Sequence, residues 1–303
     1  MSENKHPYRE AYIANTRDHR IPEELLQMAE AQFSPEQVVD ELIQYECEKT
    51  EEFEELVGMF NMGYQKMIHN MDIEPYEVGA DKIHMIDTYA LLQHHFEQVG
   101  AVDGKLGGFV HDGHMYLRDD LDFVSFLERY SHEFMHLVSK TKKVIEVFVN
   151  EQEWGAMYGT RYKTLRSGVH QISERDTGTV QYGAGLNEAI TELFALQLRK
   201  HTNFPEDVDN ETVADLQSNV TTYESHIEIL REVLRKYAEV DIEDETVKSE
   251  MLRMHIKGDP TFLKRLHKAF RDNDMPEGIK VLFSMNSTLE SVREVRAQLG
   301  ITE

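Results

Sequence analysis

The chain has 303 residues, 32 Lys+Arg against 56 Asp+Glu, and a formal net charge of −24. A surface of that sign repels phosphate backbones and anionic lipid headgroups, which argues against nucleic-acid and membrane partners. One cysteine, Cys47, excludes an internal disulfide framework and any multi-cysteine metal cluster, while 40% hydrophobic residues suffice for a core in one large or two modest domains.

No apolar leader region opens the sequence, and no stretch approaches the ~18 apolar residues of a membrane span. A cytoplasmic protein is therefore expected, with leaderless export compatible with the same sequence.

Residues 1–72 read as a helical N-terminal segment. Ser34-Pro35-Glu36-Gln37 has the form of an N-cap followed by a proline at the first helical position. It opens a run with Val38, Val39, Leu42, Ile43, Phe53, Leu56 and Val57 at helical spacing. Pro75 and Gly79 mark a loop, followed by the apolar run Ile83–Ile86 and a helix capped at Asp87 or Thr88. Asp112-Gly113, between Phe109-Val110-His111 and His114-Met115-Tyr116-Leu117, is a hairpin signal.

A helix over 121–140, a strand over 144–149 and β-compatible runs over 162–172 and 179–182 come next, the last two joined like a hairpin. Helices are predicted over 186–200, 223–238, 244–256, 260–271, 276–285 and 289–299. The order predicts an α+β fold, mostly α. It has the helical segment 1–72, a core over 73–208 with a small antiparallel sheet, and a helical C-terminal lobe over 209–303.

Inside the 121–140 helix stands His132-Glu133-Phe134-Met135-His136. Two His at i and i+4 project from one face, so both imidazoles can reach one Zn²⁺ at about 2.0–2.1 Å, with the intervening Glu beside the activated water. Phe123, Phe126, Leu127, Tyr130, Phe134, Leu137 and Val138 form the apolar stripe of this helix. His132 and His136 fall on the far side of it, with Ser125, Arg129 and Ser139, so they are either solvated or bound to something polar.

A catalytic zinc site needs three protein ligands and an open position, and Cys47 is too isolated to assume as the third. In Asn187-Glu188-Ala189-Ile190-Thr191-Glu192 the two glutamates lie on one face, opposite the apolar stripe Leu186, Ile190, Leu193, Phe194 and Leu198. Like charges at i and i+4 repel by a few tenths of a kcal/mol. A cation for one carboxylate and a histidine N–H for the other would relieve that repulsion; a solvated acidic face is the alternative.

The two motifs together resemble the gluzincin metallopeptidases. Asn187 to Glu192 is close to the thermolysin-like form of the second motif, and the lead-in Tyr182-Gly183 is similar to the anthrax lethal factor-like peptidases. The similarity spans roughly 107–200. It implies a zincin-like core, one Zn²⁺ held by His132, His136 and Glu188, Glu133 as general base, and Glu192 orienting a ligand histidine. By the same resemblance Tyr182 stabilises the oxyanion, and the hairpin containing Met115-Tyr116-Leu117 takes the place of the edge strand that pairs with extended substrate; Tyr223 and His226 are alternatives to Tyr182 that the resemblance does not supply. The implied function is a zinc-dependent peptidase acting on a peptide or protein. Alternatives are a catalytically inactive zincin-fold binding module or a leaderless metallopeptidase toxin. His111, His114, His170 and His94-His95 have no paired spacing with a second motif and are set aside.

Overall fold

The computed structural model describes residues 9–15, 39–99, 106–152, 155–175, 178–206, 208–218 and 223–301. Its elements begin with β1 (Arg9–Asn15), α1 (Asp40–Ile43), α2 (Glu51–Met67), β2 (Ile83–Ile86), α3 (Thr88–Val99), β3 (Gly108–His111), β4 (His114–Arg118) and α4 (Phe123–Val138). Strands β5 (Thr141–Gln152), β6 (Gly155–Arg166), β7 (His170–Arg175) and β8 (Gly178–Tyr182) come next. The chain continues in α5 (Ala184–His201), α6 (Asn210–Ser218), α7 (Glu224–Val233), α8 (Glu245–Lys257), α9 (Thr261–Asp272), α10 (Gly278–Phe283) and α11 (Leu289–Gln298). The protein is thus α-rich, with two small sheets. Two compact units are formed, one by the described residues of Glu36–Val138 and Thr191–Thr222, the other by those of Tyr8–Pro35, Ser139–Ile190 and Tyr223–Glu303.

In the first unit the three-stranded sheet has the order β2-β4-β3. Asp112 (φ 43°) and Gly113 (φ 93°) are both left-handed, the combination a two-residue type I′ turn requires, and they close His111 onto His114. Strand β2 runs parallel to β4, a pairing that needs a crossover, which includes α3. Within the hairpin, Met115-Tyr116-Leu117 therefore lies in the central strand, and Gly108–His111 forms the edge.

The expected N-terminal helix is interrupted. The start signal at Ser34 to Gln37 lies outside the described residues, and between α1 and α2 the chain extends along β2. Glu46 bridges Ile86, and the Cys47 N–H donates to Met85 O at 2.8 Å. The Cys47 thiol sits 3.5 Å from an Asp119 carboxylate oxygen; partial burial, that contact and the Asp119 charge push its pKa up.

Helix α2, capped by the Thr50 hydroxyl, packs its apolar face on the stripe of α4. Phe60 lies 4.6 Å from Tyr130 between ring centroids with the planes tilted by 36°, and Tyr64 meets Phe134 edge-on at 5.8 Å. All four rings are fully buried.

In the second unit the sheet has the order β1-β5-β6-β7-β8, with β1 parallel to β5 and the other pairs antiparallel. Both sheets are therefore mixed, where the sequence suggested one antiparallel sheet, because each takes in a strand from a distant stretch of chain. The hairpin signal before Thr179 is met, with Arg175 opposite Gly178. Helices α8, α9 and α11 follow the predicted spans, α10 is shorter than its span, and the span 223–238 divides into α7 and a π-helical segment over Leu234–Ala238; α8 is capped by Asp244 and closed at Gly258 (φ 76°), and α11 is capped by Thr288. No helix among the described residues is long and apolar enough to cross a membrane.

His84 on β2 is buried between Glu46, 3.0 Å from Nδ1, and His114, whose Nδ1 lies 2.8 Å from Nε2. Burial lowers the His84 pKa, and Lys49 adds to this; the hydrogen bond and charge of Glu46 and the charge of Asp81 oppose it without cancelling it. The unfolded chain therefore takes up the proton first, and stability falls as pH drops below the ordinary histidine value of about 6.5. Thermal melts from pH 7 to 5 should show a declining Tm that is shallower in His84→Gln. Equal slopes for the two proteins would refute this assignment.

Candidate metal centre

Helix α4 starts at Asp122, whose carboxylate accepts from the Ser125 backbone N–H (3.0 Å) and hydroxyl (2.6 Å). With the apolar stripe held against α2, helical geometry turns His132 and His136 to the other side. That side is not wet: His132 is 3% and Glu133 4% exposed.

The end of β8 enters α5 through Gly183, at φ +72°, where a Cβ would come within 2.3 Å of the Val169 carbonyl oxygen. Only glycine fits such a turn. It is held by the Gly183 N–H donating to Phe283 O at 2.6 Å. Helix α5 then buries Leu186, Ile190, Leu193, Phe194 and Leu198, the predicted stripe, and leaves Glu188 half-buried on the opposite face.

His132, His136 and Glu188 each present a ligand atom such that all three atoms lie within 4.8 Å of one another, and among the described residues this group can hold a metal ion. The two imidazole ring centroids are 4.9 Å apart and the ring planes lie at 78° to one another. Two imidazole nitrogens and a carboxylate oxygen are a donor set that suits a transition-metal ion such as zinc.

The surrounding contacts set the ligand atoms. His132 Nδ1 lies 2.8 Å from Glu192 Oε2; an Nδ1–H donated there leaves the Nε2 lone pair for a metal. Burial pushes the Glu192 pKa up, but the hydrogen bond and charge of His132 and the charges of Arg199 and Arg129 together hold it below the usual value. His136 Nδ1 lies 3.4 Å from the Thr191 hydroxyl, and the Asn187 amide donates to Glu188 at 3.3 Å. Arg129 Nη1 is 4.0 Å from the Glu133 carboxylate. A Cβ on Gly108 would lie 2.6 Å from the Tyr116 carbonyl oxygen and 3.4 Å from Glu133 Cγ, so the bare backbone of this edge residue runs directly beside Glu133.

Tyr182 ends the edge strand β8 and is 48% exposed. Tyr223 precedes α7, its ring 5.3 Å from that of His226. Buried His226 has Nε2 2.9 Å from the Asn286 carbonyl oxygen, which can only accept, so Nε2 carries the proton. Burial lowers the His226 pKa, although the Asn286 carbonyl and the Glu188 charge raise it. In the neutral ring Nδ1 is then an acceptor with no N–H to offer an oxyanion. The histidines set aside have other contacts: His114 with His84, His170 with Gln181, His94 with Glu41 and His111 with Asp112.

Sequence reasoning missed Thr191, Asn187 as a support for Glu188, and above all Arg199. Position 199 lies seven residues after Glu192 and so shares its face, but in the run Arg199-Lys200-His201 it reads as an ordinary basic helix end. No family model, no curated protein and no solved structure matches this chain.

Gly183→Ala should lower unfolding stability by roughly 2–4 kcal/mol, from left-handed strain plus the Val169 clash. Gly58→Ala, inside α2 with nothing near the added methyl, should instead stabilise by about 0.5–1 kcal/mol. Urea unfolding of the two variants checks both signs.

Proposed function

We propose that this chain is a zinc-dependent peptidase of the gluzincin type, a hydrolase acting on peptide or protein substrates. The observation that carries the reading is the convergence of His132, His136 and Glu188 with Glu133 on the same stretch of helix as the two histidines. Zinc bound to that donor set supplies Lewis acidity, lowering the pKa of a water toward about 7 and polarising a peptide carbonyl.

The remaining work falls to side chains of the protein. Glu133, shielded from bulk water, accepts the proton of the attacking water and returns it to the leaving amine. Glu192 and Thr191 hold the rings of His132 and His136 from behind, and Asn187 steadies Glu188. Tyr182 is the first choice to donate a hydrogen bond to the developing oxyanion, because the one N–H of neutral His226 is committed to Asn286. The backbone edge of β3, brought beside Glu133 at Gly108, suits an extended peptide that adds as a further strand.

Glu133→Gln should retain one metal equivalent and lose roughly 10²–10⁴-fold in kcat, whereas Glu188→Ala should lose both metal and hydrolysis. A peptide-library digest and metal analysis of the two variants decide the matter. Wild-type cleavage no greater than that of Glu133→Gln would favour the inactive binding module. Stoichiometric, tight metal in Glu188→Ala would remove Glu188 from the ligand set.

A further inference from the structure

Arg199 is fully buried, the bulkiest side chain to be so among the described residues. A guanidinium taken out of water needs partners in several directions, and this one has them. Its Nε donates to the Leu216 carbonyl oxygen at 2.7 Å and its Nη1 to the Ser131 hydroxyl oxygen at 2.7 Å. Its Nη2 forms an ion pair with Glu192 Oε1 at 3.6 Å. The carboxylate of Glu192 is thereby divided, Oε1 toward Arg199 and Oε2 on His132 Nδ1. Ser131 precedes His132 in α4, and its hydroxyl donates in turn to the Glu128 carbonyl oxygen. One planar cation thus ties the residue before the first candidate ligand to the carboxylate behind that ligand.

From this arrangement we infer that Arg199 is a positioning residue for the metal centre: with Nε and Nη1 anchored on Leu216 and Ser131, its Nη2 holds Oε1 of Glu192 in place, and Oε2 of that carboxylate aims His132 Nε2 at the metal. The inference rests on the zinc-site reading and extends it one layer outward. Without the fork, Oε1 of Glu192 loses its buried counter-ion and the carboxylate can rotate, so the orientation of the His132 ring is no longer set from behind. Lysine keeps the charge but has no planar fork. A purely structural role for Arg199, tying α4, α5 and α6 together, would affect stability without passing through Glu192.

The test measures metal rather than turnover. Zn²⁺ affinity is obtained by competition with a chromophoric chelator, and the visible spectrum of the Co²⁺-loaded protein is recorded, for wild type, Arg199→Met, Arg199→Lys, Glu192→Gln and the double variant Arg199→Met/Glu192→Gln. Arg199→Met should weaken Zn²⁺ binding about 10–100-fold, as loss of such outer contacts typically does, and should shift the Co²⁺ bands. Arg199→Lys should fall between it and wild type, and the double variant should bind no worse than Glu192→Gln.

A lower Tm with wild-type affinity and spectrum in Arg199→Met, or additive losses in the double variant, overturns the inference. If Arg199→Met does not fold, Arg199→Lys decides alone, and wild-type affinity and spectrum there overturn it. Failure of the underlying reading looks different: the wild type would then hold no metal that His132→Ala removes, and both proposals would fall together.

Discussion

A helix with its apolar stripe against a neighbour usually leaves the opposite side to water, but α4 buries both, with His132 and Glu133 nearly inaccessible. Polar groups taken out of water must be given partners, or they cost several kcal/mol. The aromatic contacts of Phe60 and Tyr64 with Tyr130 and Phe134 fix which way α4 is rotated. That rotation dictates where the histidines go, and from there each contact entails the next: Glu192 behind His132, Arg199 behind Glu192, and the Leu216 carbonyl and Ser131 hydroxyl around Arg199. The candidate centre is thus the polar half of the packing problem posed by one helix.

What could be read from the chain alone was what is local. The His132 and His136 spacing, the opposite stripe, the paired glutamates of α5 and the Asp112-Gly113 turn all depend on residues within a few positions of one another, where helical and strand periods act directly. The parallel pairing of β1 with β5 and of β2 with β4 joins distant stretches, and no period announces it. The extended run at Glu46 and Cys47 breaks a helical pattern only because β2 has an edge to receive it.

Within the centre the same division holds. Thr191 sits inside the motif already singled out, yet its contact with His136 needs two helices to be placed. Arg199 shows the limit most clearly, since an exposed arginine closing a helix and a buried one holding a carboxylate are spelled alike. For His226, only the Asn286 carbonyl reveals which ring nitrogen carries the proton.

Cys47 has a practical bearing on how metal chemistry in this protein is studied. Its thiol pKa is raised, so near neutral pH it is overwhelmingly the protonated thiol and a poor nucleophile. As the chain's only cysteine it has no intramolecular partner for a disulfide. The raised pKa slows oxidation between two molecules near neutral pH, so a metal titration can be run without dithiothreitol or mercaptoethanol, which are themselves zinc chelators. Leaving them out removes a competing ligand from every metal titration, so that the occupancy read is set by the protein and by the chelator chosen for the assay.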